Sequence, residues 1–376
     1  MIPRLAIPAL RSSASSLLTL GLLCLAILLA TSCDTRCPSD VTNRWLSGDF
    51  WRDSGIENIQ AQLDCGVDLH ATATGGNTPL HLATRHSQNP SVLQFLLDAG
   101  ANVETRDNFG NTPLLLAVVT QASLPVLKTL LDSGANIEAR DNFGNTPLLL
   151  AIATNASPAV FRALLDNGAD IGARDADGRT PLHLAARFAN DLAVMEALLD
   201  RGAEIEARSV LGSTPLHSAA AHSREPAAVR LLLDHGADVD ARADFGETPL
   251  HGAAQWNQDP AIIQTMLDTG APIDAKDGDG ATPLHWAVRS KADPAVVQAL
   301  LDRGADTEAR DIDGRTPLHV AARFADDHRI LETLLDHGAN IDAKDNAGDT
   351  PLDLAKRHYN PVAIEILENR GATETG

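Results

Sequence analysis

Residues 178–188 read Gly178-Arg179-Thr180-Pro181-Leu182-His183-Leu184-Ala185-Ala186-Arg187-Phe188, and each residue type in this stretch has a local role. A threonine hydroxyl before a helix accepts from backbone N–H groups that have no intrahelical partner. Proline fits the next position, where its missing N–H is no loss and its φ is already helical. The stretch therefore predicts a short helix from Pro181 to Phe188 with Thr180 as its cap. A second helix is expected downstream, with apolar residues at i, i+3 and i+4. Leu93/Leu96/Leu97, Val229/Leu232/Leu233 and Val297/Leu300/Leu301 follow that spacing. A Gly-Ala pair closes it, glycine supplying the left-handed residue after the helix.

The same stretch recurs. Thr-Pro-Leu begins at residues 78, 112, 146, 180, 214, 248, 282, 316 and 350, nine occurrences at a constant spacing of 34. Glycine stands two residues before every one of these threonines. Six repeats continue with histidine, namely His81, His183, His217, His251, His285 and His319. A fixed period of this length signals stacked supersecondary units, none of which can bury its apolar face alone.

The Thr-Pro-Leu-His pattern resembles the ankyrin repeat, whose usual period is 33. The resemblance covers residues 42–376. The extra residue falls between the two helices, where seven repeats carry Pro90, Pro125, Pro158, Pro226, Pro260, Pro294 or Pro361. It implies an all-α solenoid of about ten helix-turn-helix units with short β-hairpin loops. At 8–10 Å per helix layer the stack is on the order of 90 Å long. Residues 42–76 read as a degenerate N-terminal capping unit and 350–376 as a C-terminal one. Gln62-Leu63 and Leu367-Glu368 stand where interior units have two apolar residues, so both ends are expected to present polar faces.

Composition agrees with thin layers in series. Aromatic residues make up only 3% of the chain, too few for several large globular cores. The formal charge of −20 and the absence of basic clusters argue against a nucleic-acid partner. Arginine and acid residues lie close together along the chain and read as a mixed, solvated surface.

Residues 1–33 contain no acid, and a mostly apolar run extends from Leu17 to Ala30. This is the layout of a secretory signal, assigned to residues 1–32, with a short linker at 33–41. Its end, Leu29-Ala30-Thr31-Ser32-Cys33, resembles the lipobox of bacterial lipoproteins, with alanine where that family prefers leucine. The resemblance implies lipidation of Cys33 and a membrane-anchored protein at the cell envelope, facing the periplasm or exterior. Ordinary cleavage after Ser32 would give a soluble exported protein, and retention of the apolar stretch a transmembrane anchor. With Cys33 acylated, Cys37 and Cys65 remain as an even pair, and a disulfide between them is expected.

No phosphate loop, serine elbow or His-Glu-x-x-His pattern occurs. The histidines fall one per layer without the spacing of a metal site, and the resemblance implies that they hydrogen-bond around the threonine cap. Asp274, Asp277 and Asp279 lack the spacing of a calcium loop and read as turn residues. Neither a cofactor nor a metal is expected. The resemblance also implies a partner-binding concave face, lined by finger-tip residues and by the end of the first helix. Those positions hold Phe109, Phe143, Leu211 and Phe245 on the fingers. The helix ends hold Arg187, Phe188, His222, Gln255, Trp256, Arg289, Arg323 and Phe324. The expectation is a monomeric, non-catalytic scaffold for a protein partner. A structural spacer without a specific partner and an enzyme using the repeats as a platform are the alternatives.

Overall fold

Every Thr-Pro pair starts a helix, as in Pro181–Phe188, Pro215–His222, Pro249–Trp256 and Pro283–Arg289. In the computed structural model the described residues are 37 and 40–374, apart from 189–190, 291–292 and 326. The leader, Cys33 and most of the linker lie outside them. Twenty-one α-helices are described: three in the first unit and an inner and an outer helix in each of nine repeats. Where the outer helix has no proline, an aspartate starts it. Asp191 accepts from the Ala193 N–H at 2.9 Å, and Asp327 accepts from the Arg329 N–H at 2.9 Å. Each outer helix ends at a left-handed glycine such as Gly236, which lets the Ala237 N–H return to the Leu232 carbonyl at 3.0 Å.

The core runs the length of the stack between inner and outer helices. Leu93, Leu96, Val229, Leu232 and Leu300 are fully buried. The second leucine of the pair varies: Leu97 and Leu233 are half-buried against the edge of the core, whereas Leu301 is buried.

The fingers depart from the expected β-hairpins, for there is no strand among the described residues. Each finger closes as one tight turn with a backbone bond across it, such as Asp107 N–H to the Asn111 carbonyl at 3.0 Å. In most fingers a side chain at the turn's start takes further donors. The Asp107 carboxylate takes the N–H groups of Phe109 and Asn111 at 2.9 and 2.8 Å. A single backbone bond then joins most neighbouring tips, such as Gly278 N–H to the Phe245 carbonyl at 2.7 Å.

Many arginines pair with nearby acids on the surface, such as Arg303 with Asp268 at 2.7 Å, and six of them with one lysine also form a seam. Arg140 donates to the carbonyl of Arg174 at 2.6 Å, Arg174 to that of Arg208 at 2.6 Å, and Arg208 to that of Arg242 at 2.8 Å. Arg106 opens this line by donating to the Arg140 carbonyl, and Arg242, Lys276 and Arg310 carry it to Lys344.

The first unit is built differently from the rest. Three helices, Val41–Trp45, Gly48–Asp53 and Ile56–Asp64, gather Trp45, Phe50 and Trp51 into an aromatic cluster. The Trp45 and Trp51 rings lie 4.8 Å apart, and the Trp51 indole donates to the Trp45 carbonyl at 2.9 Å. Gln62, expected on a polar outer face, is instead buried. A disulfide joins Cys37 to Cys65, with Cα atoms 5.6 Å apart, across a separation of 28 residues. Closing a loop of this size stabilises the unit by ~3–4 kcal/mol in the chain-entropy picture. At the other end Leu367 is buried, while Glu368 is exposed and pairs with Lys356 at 2.7 Å.

Candidate functional site

Six histidines share one geometry, and it is structural. The Nδ1 atom of His217 accepts from the Thr214 N–H at 3.1 Å, so the proton sits on Nε2, which donates to the Glu247 carbonyl at 3.1 Å. His81, His183, His251, His285 and His319 likewise reach a carbonyl of the following repeat. Burial lowers the pKa of all six; that of His217 is pushed down to about 4, with Arg208, His183 and His251 adding to the effect. These imidazoles are therefore neutral spacers between layers. In the last repeat Asp353 takes the histidine position and accepts from the Thr350 N–H at 2.9 Å.

The aspartate-rich turn is also internally engaged. Asp277 accepts from the N–H groups of Asp279 and Ala281 at 2.9 and 2.8 Å and from the Trp286 indole at 2.8 Å. Among the described residues no group of three or more potential ligands could hold a metal ion.

A groove of about 610 Å³ opens between the fingers and the inner helices of the repeats that begin at Thr180, Thr214 and Thr248. It brings together five of the sequence-derived residues: Arg187, Leu211, His222, Phe245 and Trp256. A second hollow of about 380 Å³ continues it into the next repeats and contains Arg289, Arg323 and Phe324. Trp286 lines both. Phe324 lies under two guanidinium groups, that of Arg323 at 4.7 Å and that of Arg289 at 6.0 Å from the ring centroid.

The other sequence-derived residues lie elsewhere. Phe109 and Phe143 are 62% and 65% exposed on the first fingers and line neither hollow. Phe188 turns toward the preceding repeat, beside Ile152 and Phe161. Gln255 is half-buried and lines neither.

The floor of the groove was missed by finger-and-helix-end reasoning. Four residues after each threonine stand Leu82, Leu116, Leu150, Leu184, Ser218, Gly252, Trp286, Val320 and Leu354. Six of the nine are aliphatic, and three consecutive repeats depart from that rule. Ser218 and Gly252 leave the space that leucine fills elsewhere, and Trp286 walls it. A column-by-column reading of the repeats carries this signal. Val210 and Ile312, 66% and 70% exposed and each four residues before a repeat threonine, extend the apolar finger edge.

Burial and the neighbouring Arg179 lower the pKa of Arg187, so its charge lacks full solvation. His222 is lowered in turn by burial and by Arg187. The groove can hold an extended chain by apolar contact and by cationic hydrogen-bond donors. The hydroxyl–imidazole pairs that border it, such as Thr248 Oγ1 and His251 Nδ1 at 2.9 Å, are buried helix caps.

A helical solenoid built from nine like units, with an open, aromatic-edged groove, has the architecture of a repeat protein. The family model described as ankyrin repeats (3 copies) matches residues 52–141, 121–209, 216–311 and 284–374. The chain belongs to the ankyrin-repeat family, whose members are in general protein-interaction modules and typically non-catalytic. No curated protein matches it.

Proposed function

We propose that this protein is a non-catalytic docking scaffold of the cell envelope. It holds a protein partner along the groove from the repeat at Thr180 to that at Thr316 and is tethered by lipid on Cys33. One observation supports the docking role above all: Ser218 and Gly252 hollow out the groove floor beside Leu211, Phe245 and Trp256, exposed by 59–68%, and Trp286 walls it. Large aromatic and arginine side chains held at solvent-facing positions are the types enriched in interface hot spots. The envelope reading draws on the acid-free leader, and a disulfide at Cys37–Cys65 suits an oxidising compartment.

Phe245→Ala combined with Trp256→Ala tests the docking role. The pair should cut capture of the partner in in-cell cross-linking at least tenfold, with helicity and melting unchanged, since both side chains are exposed. Unchanged capture would identify a spacer, or a site on another face. Mass spectrometry of the mature N-terminus tests the tether: a diacylglyceryl cysteine at position 33 is expected, and an unmodified Cys33 removes it.

A further inference from the structure

The partner's own chemistry can be read from the groove, granting that docking occurs there. Arg187, Arg289 and Arg323 make no ion pair among the described residues. Arg179, Arg201, Arg208, Arg303 and Arg315 each reach a carboxylate, whereas these three end beside the groove without one. The groove's own acids are largely engaged. Asp177 pairs with Arg179 at 3.0 Å, Asp313 with Arg315 at 2.6 Å, and Asp277 holds the Trp286 indole. Asp177, Asp279 and Asp313 are all exposed at finger tips, Asp279 without an ion pair among the described residues. Glu247 accepts from the Phe245 N–H at 3.2 Å, and Asp311 from the N–H groups of Asp313 and Arg315 at 2.9 and 2.8 Å. The helix edge therefore offers cations to something outside the molecule.

The hollow between those cations is built by residues that do not favour a helix. Gly252 lies inside Pro249–Trp256 with ordinary helical φ, and glycine is the poorest helix former after proline. A Cβ there would meet only the Ala221 Cβ at 3.4 Å and the His217 carbonyl at 3.9 Å, so the backbone does not demand glycine. Emptiness is what glycine supplies at this position.

We propose that the groove takes an extended acidic segment of the partner, with one bulky apolar side chain over Ser218 and Gly252. Carboxylates on either side of it meet Arg187 at one end and Arg289 with Arg323 at the other. Arg187 and Arg289 belong to repeats three layers apart, roughly 25–30 Å at 8–10 Å per layer. An extended chain rising ~3.3 Å per residue covers that in about eight or nine residues. The segment thus has two acidic clusters about that far apart and an aromatic or large aliphatic residue between them.

The test is selection of displayed random twelve-residue peptides on the full-length protein at low salt, where charge recognition is least screened. Enriched peptides should carry a bulky apolar residue flanked by acids. Gly252→Leu should weaken them at least tenfold without lowering the melting temperature. Arg187→Glu combined with Arg289→Glu should shift the enriched flanks from acidic to basic. No enrichment, neutral or basic flanks on the unaltered protein, or affinity indifferent to Gly252→Leu overturns the proposal. In those last two cases peptides that still depend on Phe245 and Trp256 leave the docking face standing. Peptides indifferent to Phe245→Ala and Trp256→Ala place docking elsewhere.

Discussion

An imidazole with both nitrogens already bonded can take up a proton only by breaking one of those bonds. Protonation of Nδ1 in His217 would set an N–H against the Thr214 N–H, which now donates to that nitrogen at 3.1 Å. Burial, with Arg208 and the neighbouring histidines, lowers the folded pKa below the ordinary value near 6.5, to about 4. Between those values the unfolded chain binds the proton and the folded chain does not. The stabilisation is thus complete above pH 6.5 and drains away as pH falls toward 4. From His217 alone the loss between pH 7 and pH 5 is ~2 kcal/mol, and the other five buried histidines act in the same direction. Urea melts at pH 7 and pH 5 should show a marked acid loss, reduced by His217→Leu. Leucine is already accommodated at this position as Leu115 and Leu149, both fully buried. An equal acid loss in the variant would mean that carboxylates, not this histidine, control it.

Helices were legible because their starts are written locally, in threonine, proline and glycine, and repeated nine times over. The fingers were misread as hairpins since Asp-x-x-Gly turn chemistry is shared by ladders and by isolated turns. Asp107 decides between them by capturing the donors that a ladder would need. The third helix of the first unit and the burial of Gln62 were not legible, because that unit lacks the repeat and its aromatic core is assembled only in three dimensions. The two leucines of the outer helix looked equivalent by spacing, yet in the pair Leu232-Leu233 only the first is fully buried. Leu232→Asp puts a carboxylate into a fully buried position and should destabilise the protein by several kcal/mol, beyond the ~2–5 of Leu→Ala. Leu233→Asp should cost clearly less, as that residue is half-buried. Calorimetry of the two variants checks the assignment, and equal shifts would contradict it. Of the candidate site, the side chains that project were readable. The hollow was not, for it consists of atoms that Ser218 and Gly252 lack.

At the scale of the whole molecule the bonds between repeats form a relay with one step length. Arg106 reaches the carbonyl of Arg140, 34 residues on, and Glu104 takes the N–H of Asn136, 32 residues on, at 2.7 Å. The next repeat offers the same partners in Arg174 and Asp170, which now serve Arg140 and Glu138. The chain thus keeps time, with a beat of 34. Removing residues 112–145 takes out one whole beat: Arg106 inherits Arg174, Glu104 inherits Asp170, and Thr146 follows Asn111 as Thr112 did. Such a shortened chain should fold with unchanged helicity per residue and a length smaller by roughly one layer, 8–10 Å, in small-angle scattering. Removing only 112–144 leaves the donors that straddle this one junction, Arg106 and its neighbours, a residue out of phase, and the stack should break there. Should both deletions behave alike, the relay has no part in holding register. If only the first folds, reach along the array can be lengthened or trimmed in whole beats, with no redesign of any contact.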